Sequence, residues 1–206
     1  MYEGEFFDGK YNGRGKYYLS GELYFEGEYK YGKKIRGITY CGSSKYDDKY
    51  LNGKKHGKGK DYYDNKLEFE GEYLNGEKNG FGKEYFYNGI LIFEGEFLNG
   101  EKNGLGKEYD YYYNGKLKFH GMFSNNGKNG LGVEYNENKL FIGKFKGGKK
   151  NGKGKEYANG IIKYEGEYRN GEKYFSTSFK WNEFEQKLIY VLLNDKRVVG
   201  NTFFAI

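Results

Sequence analysis

The residues able to do acid–base chemistry come in pairs. Glu70 stands two residues from Glu72 and Glu94 two from Glu96, a spacing that could supply a carboxylate dyad. A general acid in such a dyad needs a pocket that raises its pKa. The pairs recur in copy after copy, beside equally repeated lysines such as Lys78, Lys83, Lys102 and Lys107. A catalytic site is singular, so these carboxylates read as solvated cross-strand charge ladders. His56 and His120 each replace the residue usual at their repeat positions, and Cys41 is the one cysteine, so no zinc-ligand spacing exists. No Asp-x-Asp-x-Asp-Gly loop supports calcium. Gly-Lys-Gly-Lys at 57–60 and 152–155 lacks both the spacing of a phosphate loop and a following helix. Cys41 reads as a bystander. No catalytic residue, metal or cofactor is expected.

What positions these residues is a repeat. FEGEYLNGEKNGFGKEY at 69–85 returns as FEGEFLNGEKNGLGKEY at 93–109, and weaker copies fill most of the chain. Aligned on the opening aromatic, copies begin at Tyr2, Phe25, Tyr46, Phe69, Phe93, Phe119, Phe141 and Tyr164. The period of about 21–26 residues is that of stacked supersecondary units. Three copies are damaged. The second has Arg36 and Ile38 where the late glycines would stand, the third has Asp48 for the first glycine, and the eighth breaks off after Lys173.

Within a copy the pattern alternates. Phe69, Gly71 and Tyr73 point one way and Glu68, Glu70 and Glu72 the other, the period of a strand. Asn75-Gly76 and Asn79-Gly80 are read as reversals, and a second strand runs from Phe81 to Tyr87. Asn88-Gly89, Asn114-Gly115 and Asn159-Gly160 then lead into the following copies. The chain carries 35 glycines, and each would cost about 1 kcal/mol in a helix interior, so helix is a poor alternative. The glycines between two aromatics, such as Gly71 and Gly95, make room for neighbouring rings to lie on bare backbone.

Composition agrees. Hydrophobic residues are 36% of the chain and aromatics alone 21%, so the apolar stripe is thin and made of rings rather than of a two-layer aliphatic core. The net charge of +6 is spread through the repeats and nearly all lysine. Nucleic acid is disfavoured, because clustered arginines able to make bidentate contacts are missing. A lone cysteine, a first repeat beginning at residue 2 and no apolar run of membrane-spanning length set the expectation of a cytoplasmic protein without signal peptide or transmembrane segment.

The pattern resembles the MORN repeat, Tyr-x-Gly-x-aromatic, a turn, then Gly-x-Gly and an aromatic. Here it stands as Phe69, Gly71, Tyr73, Gly80, Gly82 and Tyr85, and it recurs over residues 2–173. The resemblance implies an all-β chain: an elongated, single-layer, twisted antiparallel sheet with one hairpin per repeat and a groove lined by aromatics. The damaged copies predict a kink or loop between Arg36 and Asp48.

Residues 174–206 differ, with an aliphatic run at Leu188–Leu193 followed by Val198, Val199, Phe203 and Phe204. Asn182 followed by Glu185 would start a helix, with Phe184, Leu188 and Leu192 on one side. Asn194-Asp195 would instead turn a hairpin, the reading placed first. Either way the segment is expected to cap the end of the array.

Function must then lie in surface. A single layer cannot cover both faces, so part of the aromatic ladder should line a partner groove: Phe69, Tyr73, Tyr85, Phe93, Phe97, Tyr109, Phe119 and Phe123, continuing through Tyr135, Phe141, Phe145 and Tyr157. The reading is a non-enzymatic scaffold that binds protein partners through that groove, or pairs with a second copy through the open edge at Tyr2–Phe6. The alternative is peripheral binding to anionic membrane through Lys78, Lys83, Lys102, Lys107, Lys150 and Lys155. The resemblance supports the scaffold, since such repeats look like organisers attached to other partners.

Overall fold

The computed structural model describes residues 1–112 and 115–194. The chain divides into two units, Met1–Gly100 and Glu101–Ile206, with the boundary inside the repeat array. The first holds β1 (Tyr2–Phe7), β2 (Lys10–Leu19), β3 (Glu22–Lys30), β4 (Lys33–Cys41), β5 (Ser44–Leu51), β6 (Lys54–Tyr63), β7 (Lys66–Leu74), β8 (Glu77–Tyr85) and β9 (Leu91–Leu98). The second holds β10 (Glu101–Asp110), β11 (Lys116–Ser124), β12 (Gly127–Asn136), β13 (Lys139–Lys146), β14 (Lys149–Ala158), β15 (Ile161–Arg169), β16 (Glu172–Ser176) and a helix, α1 (Glu183–Asn194). In each unit the strands follow sequence order and pair antiparallel, one hairpin per repeat.

One face of each unit is built of rings. Phe69 lies flat over Gly71 and Gly82, which pair across β7 and β8; a Cβ on either glycine would stand 2.6 Å from that ring. Phe119 covers Gly121 and Gly132, and Phe141 covers Gly143 and Gly154, in the same way. Each such ring meets the next edge-on, Phe69 to Phe97 at 5.4 Å and Phe141 to Tyr168 at 5.0 Å between centroids. Pairs of this geometry contribute about 0.5–1.5 kcal/mol beyond burial. A lysine closes each ring from above: Lys78 over Phe69 at 4.2 Å, Lys128 over Phe119 at 4.6 Å and Lys150 over Phe141 at 4.3 Å. The same lysines pair with Glu84, Glu134 and Glu156. Charge is thereby carried on the ring face without exposing the rings.

Four local expectations change. Asn79-Gly80 is not a reversal but a bulge inside β8: Gly71 pairs Gly82 and Tyr73 pairs Lys78, so Asn79, Gly80 and Phe81 together oppose Glu72. Gly80 takes the positive φ this requires, +98°. The second strand ends at Tyr85, and Asn88-Gly89 sits in a longer connection closed by Gly89 N–H donating to Phe86 O. The kink expected between Arg36 and Asp48 is absent. The second copy's bulge is shorter, so Gly37 takes the place opposite Gly27, and β4 pairs β5 in unbroken register from Arg36–Lys49 to Cys41–Ser44. Finally, the hairpin placed first for the C-terminal segment gives way to α1. A reciprocal capping box starts it, with Glu185 N–H donating to Asn182 Oδ1 and Asn182 N–H donating to Glu185 Oε2. Asn114, Asp195, Val198, Val199, Phe203 and Phe204 lie outside the described residues.

Candidate functional site

The expected groove residues divide. Phe69, Tyr73, Phe93, Phe97, Phe119 and Phe123 are buried, 5% exposed or less, and form the core of the ring face. They are not an accessible lining. Tyr85 points to the opposite face, where its hydroxyl donates to Glu70 at 2.7 Å, as Tyr18 donates to Glu3 and Tyr40 to Glu26. Tyr109 occupies the same repeat position, and Tyr135 and Tyr157 at that position pack beside the aliphatic cluster beneath α1. The signal was in the spacing: Gly82 and Tyr85 are three residues apart, and an odd separation in a strand changes face.

The lysines expected to face lipid divide as well. Lys78 and Lys150 lie over rings, and Lys102 holds the equivalent repeat position. Lys83 and Lys155 are on the other face, beside Glu70 and Glu165. Lys107 is buried. The six do not share one face, because Lys78 and Lys83 stand five residues apart on the continuous strand β8, and an odd separation puts them on opposite sides.

The face opposite the rings is the candidate site, and it has two rows. In the first unit the first row runs across the strands as Glu3, Lys16, Glu26, Ile38, Asp47, Lys60, Glu70, Lys83 and Glu94. Charges of opposite sign alternate on either side of Ile38, with Lys16–Glu26 and Lys60–Glu70 both at 3.4 Å. The second row holds Arg14, Glu28, Arg36, Lys49, Lys58, Glu72, Phe81 and Glu96, with Arg36 2.6 Å from Glu28. Tyr85 and the two lysines hold the Glu70 carboxyl below the usual range, and the Arg36 hydrogen bond does the same for Glu28. Burial, then Glu70, pushes the Tyr85 phenol up to about 12. Two clefts open on this face, of about 660 and 520 Å³, and the larger is lined by Arg14, Lys16, Glu26, Glu28, Arg36 and Ile38.

In the second unit the same rows turn largely apolar at their centre, between Lys107 on β10 and Lys155 on β14. They carry His120, Val133 and Ile142 in one row and Leu105, Met122 and Leu131 in the other. Here α1 lies down, with Ile189 and Leu192 against Leu131, Val133 and Ile142. Lys144 pairs with Glu185 at 2.8 Å, and His120 Nδ1 lies 3.0 Å from the Leu192 carbonyl, which only an Nδ1–H can satisfy. Within the segment expected to cap the array, α1 rests on the face of β12 and β13. Sequence reasoning missed this seat, though two consecutive copies, the sixth and the seventh, lose the charged pattern at His120, Met122, Val133 and Ile142.

A third arrangement is singular. Asp48 is buried, and its carboxylate takes the place over Gly59 that a ring fills elsewhere. Lys55 Nζ lies 3.1 Å from Asp48 and 2.7 Å from Asp61, and the Tyr73 hydroxyl donates to Asp61 at 2.6 Å. Burial pushes Asp48 up to about 6, against the pull of Lys55. The group has an acid's pKa but no access, since Tyr73 and Asp48 are both sealed. Among the described residues no group of three or more His, Cys, Asp or Glu could hold a metal ion.

The MORN repeat family model matches residues 2–21, 49–65, 69–90, 93–111, 141–161 and 164–173, more than half of the chain. The chain belongs to the MORN-repeat family. Two MORN-like stretches escape that match and keep the fold: the second copy with its shortened bulge, and the sixth, where Phe119 still lies on Gly121 and Gly132. A comparison with curated proteins found no match. No helix among the described residues is long and apolar enough to cross a membrane.

Proposed function

We propose that this MORN-repeat chain is a non-enzymatic scaffold that holds a protein partner on the charged face of its first unit. One observation carries the reading: the face that α1 covers in the second unit lies open in the first, cleft and rimmed by tyrosines. Away from the first strand the ring face offers a partner little, because rings such as Phe69 and Phe97 are buried by one another and by lysines. Lipid binding has the weaker case, since acidic residues alternate with the cations on the open face and would meet an anionic bilayer together with them.

The test is a peptide-display selection against the full chain, with recovered binders re-measured on variants. Binders should weaken at least about tenfold on Glu26→Lys/Glu70→Lys and hold on Lys139→Glu/Lys163→Glu. Binders indifferent to the first variant would overturn the assignment. So would flotation of the chain on anionic vesicles at physiological salt.

A further inference from the structure

Between Arg14 and Glu72 the second row of the open face alternates in sign except at one place. Arg14 pairs Glu28, Glu28 pairs Arg36, and then Arg36 pairs Lys49 across β4 and β5. Lys58 follows on β6, next to Lys49, because Asp48 pairs Gly59. Only with Glu72 on β7 does the opposite sign return. Like charges directly opposite one another destabilise a sheet. Among the described residues neither Lys49 nor Lys58 makes an ion pair, and both are exposed. All three cations line the 520 Å³ cleft, together with Phe81, which stays 48% exposed. This break falls in the third copy, the one that also departs from the repeat at Asp48.

Resting on the scaffold reading, we propose that Arg36, Lys49 and Lys58 form the seat for a short acidic segment of the partner protein. Neighbouring strands lie about 4.8 Å apart, so the three cations span about 10 Å. An extended segment with two acidic side chains on alternate residues spans about 7 Å and fits within that row. Phe81 lies two strands beyond Lys58, about three extended residues further. The segment that fits is thus acidic-x-acidic with an apolar side chain about three positions on. Glu28 at one end of the row, Glu72 at the other and Asp47 beside it bound the positive patch. They tolerate a segment of limited charge and repel a continuous anionic plane, which favours a peptide over a bilayer.

The experiment titrates the full chain with a labelled twelve-residue peptide, its core Glu-Gly-Glu-Gly-Gly-Phe and the rest Gly and Ser, and reads anisotropy at low and physiological salt. Binding should fall at least about tenfold in Lys49→Glu/Lys58→Glu, fall less in Phe81→Ala and hold in Lys139→Glu/Lys163→Glu. Circular dichroism checks that each variant is folded. Equal binding of the folded double variant would overturn the proposal, as would equal binding of the same peptide with Lys for Glu. Loss of peptide to competing phosphatidylserine vesicles would reassign the seat to lipid. Display-selected binders that ignore Lys49→Glu/Lys58→Glu but are lost on Glu26→Lys/Glu70→Lys would sink this seat and leave the scaffold standing.

Discussion

In the first unit the row through Lys60, Glu70 and Lys83 is charged and faces water; in the second the row through His120, Val133 and Ile142 lies beneath α1. The backbone beneath is the same, down to the paired glycines Gly71–Gly82 and Gly121–Gly132. The ring face makes the fold, and the opposite face is left to vary. Aliphatic residues there seat the chain's own helix, and alternating charges leave the face to solvent.

The comparison breaks most visibly at Val133. Val133→Lys gives the second unit the residue the first has at Lys83, and it leaves an uncompensated charge beneath α1. The expected cost is on the order of 3 kcal/mol to α1 docking, read as faster amide exchange across α1 and a change in Trp181 fluorescence. Unchanged protection would mean that the helix does not need its aliphatic seat.

Asp48 sharpens the comparison within the ring face, as the one place among the described residues where a carboxylate replaces a covering ring. Its folded pKa of about 6 lies above the ordinary value of 3.8. Folding therefore favours the protonated acid. That contribution is fully present below about pH 4 and is lost as pH rises through about 6, up to about 3 kcal/mol in all. Asp48→Asn should flatten the melting temperature between pH 4 and 6 and raise it at pH 7.5. A parallel pH profile in both proteins would assign the slope to other groups.

Smaller effects follow. Asn182→Ala removes one half of the capping box and should cost α1 about 0.5–2 kcal/mol, seen as fraying of its first turn in exchange. Smallest is the reverse exchange in the first unit, Lys83→Val. It removes a part-exposed contact 3.9 Å from Glu70 and should move stability within about 0.5 kcal/mol by chemical denaturation. A large loss would show that the open row holds the sheet together.

The period, the hairpins and the rings lying on glycine were legible in the sequence because each is repeated, and repetition averages out local ambiguity. The sides of β8 were not. An Asn-Gly dipeptide has the same backbone preference in a turn as in a bulge, and reading Asn79-Gly80 as a turn sent Tyr85 to the wrong face. Gly37 was misplaced for a related reason, since a bulge shortened by one residue shifts the alignment without shifting the pairing. The helix was legible in Asn182 and Glu185, but a hairpin over the same residues satisfied the same aliphatic pattern. The seat of α1 was written in Val133 and Ile142, yet single apolar residues in a charged row look like drift until something lies on them.

One consequence concerns the order of events as the chain is made. Within each unit every strand pairs with its neighbour in sequence, and turn ties such as Gly76 N–H to Lys55 O reach back only one copy. Contacts of such short range close quickly, so each hairpin can add to the last as synthesis proceeds. The bond from His120 to Leu192 spans 72 residues and stands apart. Until α1 is synthesised, Val133 and Ile142 face water, and that interval is when a nascent chain is most exposed to chaperones and to other copies of itself.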